Sequence, residues 1–377
     1  MKILISLSYY LPNISGLTNY AKILAEELFK RGYDITIITS QHEKNLLPYE
    51  NQNGIKIVRI PITFKIGKGP IMLSLPFKIG KYITGADVIN CHLPQFESFI
   101  LAFLAKAKHK KLILTYQTDL SWDGELLLKI SKVFILFSHF ISALLADTIV
   151  VLNKDYARHS WFLSLFSKKL SYIYPPVKLI EPDKTTSKLF KKRMQLKQRY
   201  ILGIVARISP EKGIEYLLEA IPYLRNKLGS DFIIVIVGPP KPIGEYNYIR
   251  KIDTLLKKYN KFVKFLGRLS DKELTCLYKS LDILVLPSIN STEAFGMVQV
   301  EAILCGVPVI ATDLPGVRVP IITTGMGELA KPKNSRDLAE KIVKILKNKK
   351  KYIKKREFIK NIFSSKLTIS EYEKLFK

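Results

Sequence analysis

Apolar and polar positions alternate along this chain in two successive series. In the first, short apolar runs at 3–8, 34–39, 55–60, 87–91, 112–116, 148–152 and 171–174 predict strands, and longer stretches such as 19–31, 96–108 and 126–145 predict helices between them. Strand–helix alternation of this kind argues for a mostly parallel, doubly wound sheet. Tyr174-Pro175-Pro176-Val177 closes the series, because two consecutive prolines continue neither strand nor helix. The twenty or so residues that follow are polar and lysine-rich, the composition of a connector. A second series then predicts strands at 200–208, 232–237, 262–266, 283–286 and 307–311, with helices at 214–228, 246–259 and 271–280. Ser270-Asp271-Lys272-Glu273 has the spacing of a capping box and fixes the start of the last of these helices. The fold class predicted is α/β, with two doubly wound Rossmann-like domains, 1–178 and 195–360, facing across a cleft. Ligands of such sheets bind outside the carboxyl ends of the strands, so candidate chemistry is sought there.

Composition adds bounds. A chain of 377 residues suits two domains, and 47% hydrophobic residues describe a globular protein. Cys91, Cys276 and Cys305 are far apart, each in or beside an apolar run, which reads as reduced core thiols in a cytoplasmic protein without a structural zinc site. The apolar N-terminal run is short and leads into Tyr9-Tyr10-Leu11-Pro12-Asn13, so a first strand is expected there rather than a signal peptide. The formal net charge of +28 attracts polyanions: a nucleotide diphosphate or the anionic face of a membrane fits the motifs, whereas nucleic acid is not expected. The stretch 126–145 approaches spanning length, but Lys129, Lys132 and His139 interrupt it. It reads as a long domain helix with one heavily apolar face, and as a second reading that face lies on a membrane surface.

The string 288–302, Ser-Ile-Asn-Ser-Thr-Glu-Ala-Phe-Gly-Met-Val-Gln-Val-Glu-Ala, carries the most specific chemistry. A strand is expected to end near Ser288 and a helix to begin near Phe295 and end near Cys305. Glu293 then sits in the loop before the helix, and Glu301 about two turns later. Backbone N–H groups at a helix start favour an anionic ligand, and each carboxylate accepts hydrogen bonds from a vicinal diol. The string resembles the Glu-x7-Glu signature of the family-4 retaining glycosyltransferases, which have the two-domain GT-B fold.

That resemblance implies roles for other residues. In 203–213, Gly-Ile-Val-Ala-Arg-Ile-Ser-Pro-Glu-Lys-Gly, Arg207 falls just past a strand and Lys212 at a helix start. A guanidinium fork and an ammonium so placed suit a diphosphate. They match the family's Gly-Arg and Lys-Gly element except that Ala206 stands where Gly is frequent. Arg268 and Leu269, in Phe265-Leu266-Gly267-Arg268-Leu269, resemble the loop whose backbone reads the nucleotide base. Gly16 keeps one of the paired glycines expected after the first strand, with Ser15 in place of the other. Gln117 stands where many relatives have a histidine assigned a role near the transferred sugar. Gln cannot move a proton at neutral pH, although its carbonyl accepts a hydrogen bond. His92 matches a recurrent family histidine and reads equally as a structural one. In Val237-Gly238-Pro239-Pro240 the prolines depart from the family pattern.

The function expected is retaining transfer of a hexose-type sugar from a nucleotide-diphosphate sugar to a glycan or lipid-linked acceptor. Glu293, Gln117 and His92 are the candidate catalytic residues. Gly16, Arg207, Lys212, Arg268, Leu269, Ala294, Phe295, Gly296 and Glu301 are the candidate donor-binding residues. No metal is expected, because the chain has no Asp-x-Asp, no His-Glu-x-x-His and no Walker A motif. Asp119 is the nearest first-domain candidate for a carboxylate nucleophile. A C-terminal helix at about 363–377 is expected to cross back to the first domain. Alternative readings are a GT-B sugar-nucleotide epimerase and a non-catalytic basic binding protein.

Overall fold

Strands apolar along almost their whole length can be buried on both faces, and this chain builds two parallel sheets from them. A computed structural model describes residues 1–67, 69–120, 126–195, 198–239 and 246–377. It comprises two compact units, residues 1–176 with 364–377, and residues 177–363.

The strands of the first unit are β1 (Lys2–Ser6), β2 (Asp34–Gln41), β3 (Tyr49–Gln52), β4 (Ile55–Pro61), β5 (Phe64–Ile66), β6 (Gly69–Ile71), β7 (Val88–Leu93), β8 (Lys111–Tyr116), β9 (Thr148–Val151) and β10 (Leu170–Tyr172). Eight of them form one sheet in the order β10-β9-β8-β7-β1-β2-β4-β3, while β5 and β6 pair as a separate antiparallel ribbon. All neighbours in the large sheet are parallel except β3, which runs antiparallel to β4. The β3–β4 turn is Asn53-Gly54, both at positive φ (54° and 86°), the backbone that a tight hairpin turn requires. Every residue of β7 is buried. The chain's last helix, Ser365–Phe376, packs on helix Gly16–Lys30. Tyr372 Oη is there 2.8 Å from both Tyr20 Oη and Thr115 Oγ1, and Arg31 pairs with Glu373.

The second unit has β11 (Tyr200–Val205), β12 (Phe232–Val237), β13 (Val263–Gly267), β14 (Ile283–Leu286), β15 (Val309–Thr312) and β16 (Gly327–Ala330). They form an all-parallel sheet in the order β13-β12-β11-β14-β15-β16. The order reverses between β11 and β14, which makes that pair the switch point of the sheet. Helix Ser335–Lys347 buries Leu338, Ala339, Ile342, Val343, Ile345 and Leu346 in this unit's core, so the lysine-dense segment beyond Glu340 is solvated on one side only.

Two sequence expectations need correction. The helix expected at 214–228 is two helices, Ile214–Glu219 and Ile221–Leu228. Pro222 starts the second one, since its ring has no N–H to continue the first. The strand expected to reach residue 208 stops at Val205, leaving 206–209 as a loop at the carboxyl end.

Candidate functional site

The second unit collects its charged candidates at the switch point. The loop after β11 carries Arg207, Glu211 and Lys212, and the loop after β14 carries Glu293. The two loops are tied by backbone: Ile289 N–H donates to Glu211 O at 3.1 Å. They approach so closely that a Cβ on Gly213 would lie 2.2 Å from Pro287 O, and Gly213 sits at φ +60°. Only glycine accommodates both the contact and the left-handed backbone. Lys212 therefore ends a single 3-10 turn, Pro210–Lys212, with Gly213 between it and helix Ile214–Glu219. It does not occupy the helix start that the sequence suggested, because the left-handed glycine separates the two elements.

Within this junction Lys212 Nζ lies 2.5 Å from Glu293 Oε2, both side chains mostly withdrawn from solvent. Arg207 Nη2 lies 3.1 Å from Glu211 Oε1. Each cation expected to meet a diphosphate thus holds a carboxylate in the ligand-free protein. Asn290 shapes the loop carrying Glu293: its Oδ1 accepts from Thr292 N–H at 3.1 Å and from Thr292 Oγ1 at 2.6 Å. Asn and Asp side chains characteristically build such turns, so Asn290 was a signal available in the sequence that motif reading passed over.

Ala294, Phe295 and Gly296 follow Glu293 and are buried. The Phe295 ring meets Phe363 edge-on with centroids 5.8 Å apart, which assigns its side chain to the core. Gly296 is at φ +76°, and a Cβ there would meet Leu286 Cδ2 at 2.4 Å. Gln299, fully buried, donates from Nε2 to Phe295 O at 2.8 Å and Val317 O at 3.0 Å, pinning the turn from below. The helix itself is Met297–Leu304, slightly later than expected, which puts Glu301 in its second turn.

Glu301 Oε2 accepts from Tyr278 Oη at 2.5 Å. Burial pushes its carboxyl up to about 7, against the opposing effect of the tyrosine hydrogen bond. Tyr278 comes from helix Asp271–Ser280, whose start shows the reciprocal Ser270/Glu273 capping box. Its role at Glu301 carries no local sequence signal, since the partners are 23 residues apart and on different helices. Arg268 and Leu269 stand between β13 and this helix, Arg268 exposed and Leu269 partly so. Gly267 O accepts from Gly238 N–H at 3.0 Å. A Cβ on Gly238 would lie 1.9 Å from Ala206 O, so the loops after β11, β12 and β13 are in mutual contact. Pro240 lies outside the described residues.

In the first unit, Gly16 is the first residue of its helix, and Ser15 caps it by accepting from Thr18 N–H. Nothing lies within 4 Å of a Cβ built on Gly16, so packing in the ligand-free protein does not demand glycine there. His92 and Gln117, on adjacent strand ends, are brought together: Gln117 Nε2 lies 2.9 Å from His92 Nδ1. His92 is fully buried, with the Tyr20 ring edge-on to it at 5.5 Å, and burial pushes its imidazole down to about 3. Its ring is therefore uncharged at physiological pH. Asp119 Oδ1 accepts from Tyr116 Oη at 2.6 Å and Ser160 Oγ at 2.8 Å. Among the described residues no three His, Cys, Asp or Glu side chains gather to hold a metal ion.

Known proteins resemble this chain in sequence and in fold. The sequence profile described as Glycosyl transferases group 1 matches residues 186–363, and the one described as Glycosyltransferase Family 4 matches residues 14–180. An uncharacterized glycosyltransferase of Methanocaldococcus jannaschii is 28% identical over 365 residues, covering 92% of this chain and 89% of its own. The alpha-monoglucosyldiacylglycerol synthase of Acholeplasma laidlawii is 26% identical over 338 residues, covering 82% and 80%. Among solved structures, Anabaena HepE in complex with UDP-glucose superposes with a TM-score of 0.77 at 18% identity, covering 99% of this chain and 98% of its own. The two profiles account for nearly the whole length between them, and the chain belongs to glycosyltransferase family 4, a glycosyltransferase of the GT-B fold.

Proposed function

We propose that this enzyme transfers a hexose-type sugar from a nucleotide-diphosphate sugar to a glycan or lipid-linked acceptor, with retention of anomeric configuration and without a metal ion. The observation that carries the reading is the Lys212–Glu293 pair at the switch point, with Arg207 on the same loop as Lys212. Arg207 and Lys212 take the leaving diphosphate and offset the charge that builds on it as the glycosidic bond breaks. Glu293 accepts from the sugar hydroxyls, and Glu301 from the ribose diol. The C1–oxygen bond to the diphosphate breaks while the acceptor oxygen bonds C1 on the same face. The acceptor's proton passes to the departing phosphate oxygen. The neutral His92 and the amide of Gln117 position the sugar through hydrogen bonds rather than carry that proton. Asp119, with Oδ1 engaged by two hydroxyls, supplies no nucleophile. HepE was solved with UDP-glucose and the Acholeplasma relative is named for a glucosylated lipid, which supports a nucleotide-sugar donor and a lipid-linked acceptor.

A panel of nucleotide sugars scored for thermal stabilisation and slow hydrolysis tests the donor, and NMR of the released sugar tests the stereochemistry. One donor should stand out and the first-formed anomer should match it. Stabilisation by none of the panel, or release of the opposite anomer, would refute the proposal.

A further inference from the structure

Helix Leu126–Leu145 is amphipathic in the reverse of the usual sense. Its inward face consists of Ser138, His139, Ser142 and Ala143, all buried. These residues are keyed by hydrogen bonds to the segment after β7: Ser138 Oγ donates to Phe96 O at 2.5 Å, Ser142 Oγ lies 2.9 Å from Ser98 Oγ, and Gln95 N–H donates to His139 Nε2 at 3.3 Å. The outward face carries Phe134 (60% exposed), Phe137 (64%) and Leu144 (51%), spaced three to seven residues apart along one stripe. The long domain helix expected at 126–145 is present over those residues, and its apolar face turns outward because polar groups on the other face already claim the interior. A helix of a soluble protein ordinarily points such a stripe at its core, and contiguous exposed apolar surface marks an interaction site.

The neighbouring helices continue the surface. Helices Leu75–Gly85, Ser98–Ala107 and Leu126–Leu145 pack side by side in that order. The first exposes Phe77 (90%) and the second Phe103 (66%). Trp161, on the short helix after β9, is also exposed (56%). The charged residues within these three helices are lysines: Lys78 and Lys81 on the first, Lys106 on the second, where it pairs with Asp147, and Lys132 on the third. Aromatic and aliphatic side chains beside lysines match an anionic lipid surface, where rings enter the interface and ammonium groups meet headgroups. No helix among the described residues is long and apolar enough to cross a membrane.

We propose that this three-helix face of the first unit docks on an anionic lipid bilayer. The test is flotation of the full chain with vesicles of phosphatidylcholine alone or containing phosphatidylglycerol. The protein should co-float with the anionic vesicles at low salt and release as salt is raised. The F134S/F137S variant should lose partitioning at least about tenfold, since each ring contributes apolar burial worth roughly that factor. A K78E/K81E variant, which leaves the aromatics in place, should lose affinity for anionic vesicles alone. Both should keep the wild-type melting temperature and donor hydrolysis, so failure of the docking idea is distinct from failure of the donor assignment. No flotation, equal flotation with both vesicle types, or unchanged flotation of the aromatic variant would overturn it. So would a wild-type dimer in sedimentation that F134S/F137S dissociates, because the face would then belong to a second copy.

Discussion

The ammonium of Lys212 and the carboxylate of Glu293 neutralise each other across the switch point at 2.5 Å. In the proposed function a bound diphosphate competes with Glu293 for that cation and, in displacing it, frees the carboxylate for the sugar. Glu293→Gln should therefore leave binding of the nucleoside diphosphate alone unchanged or tighter while lowering sugar transfer by about two orders of magnitude, the scale of one lost charge-stabilising contact. Calorimetry with the diphosphate, set beside turnover at saturating donor, checks both halves. Near-normal turnover would remove Glu293 from the reaction.

If Glu301 holds the ribose diol as proposed, donor binding should depend on pH. Its carboxyl is raised from an ordinary 4.5 to about 7 by burial, and only the ionised form accepts from both hydroxyls of a diol. Donor affinity should rise between about pH 6 and 8, and Glu301→Gln should flatten that rise while weakening binding. The stability consequence has the opposite sign. From 4.5 to about 7 the unfolded chain has released this proton and the folded one has not, so the group's contribution to stability falls as pH rises, then levels off. Isothermal titration of the nucleotide across pH, and denaturant melts of both proteins, separate the two effects.

Activity should survive EDTA if, as proposed, Arg207 and Lys212 supply the positive charge at the diphosphate. Loss with chelator and rescue by magnesium or manganese would show that the two side chains are insufficient.

His92→Asn should alter the size of kcat but not the shape of its pH profile at saturating donor. The buried imidazole titrates near 3, far below the working range. A limb between pH 6 and 7 that disappears only in the variant would give His92 a proton-carrying role.

Gly213→Ala should destabilise the second unit by about 2–4 kcal/mol, since it forces a left-handed alanine against a backbone oxygen. The Cβ would lie 2.2 Å from Pro287 O. A denaturant melt reads this directly, and a shift under 0.5 kcal/mol, about the noise of a surface substitution, would contradict the geometry.

Much of the fold was legible because parallel strands buried on both faces leave unmistakable apolar runs, as at 232–237. The strands that escaped notice are edges. β3 is Tyr-Glu-Asn-Gln and β16 is Gly-Glu-Leu-Ala, each paired on one side only and so free to be polar, and β5 and β6 pair only with each other. The Asn53-Gly54 turn was the available clue to the first. At the candidate site, local motifs single out Arg207, Lys212, Glu293 and Glu301. Their pairings with Glu211, one another and Tyr278 depend on which loops the switch point brings together, which no local pattern encodes. The direction of the 126–145 helix was illegible for a related reason: its apolar stripe is plain, but Gln95, Phe96 and Ser98 decide which side faces in.

The shared hydroxyls of Tyr20, Thr115 and Tyr372 set a schedule for synthesis. The first unit emerges from the ribosome early, yet the helix that seals it is made only after the whole of 177–363. At about 5–20 residues per second, translating that intervening stretch holds the groove open for roughly 10–40 seconds. During that interval the nascent chain displays an unfilled seat for Tyr372 and Phe376 together with its outward phenylalanines.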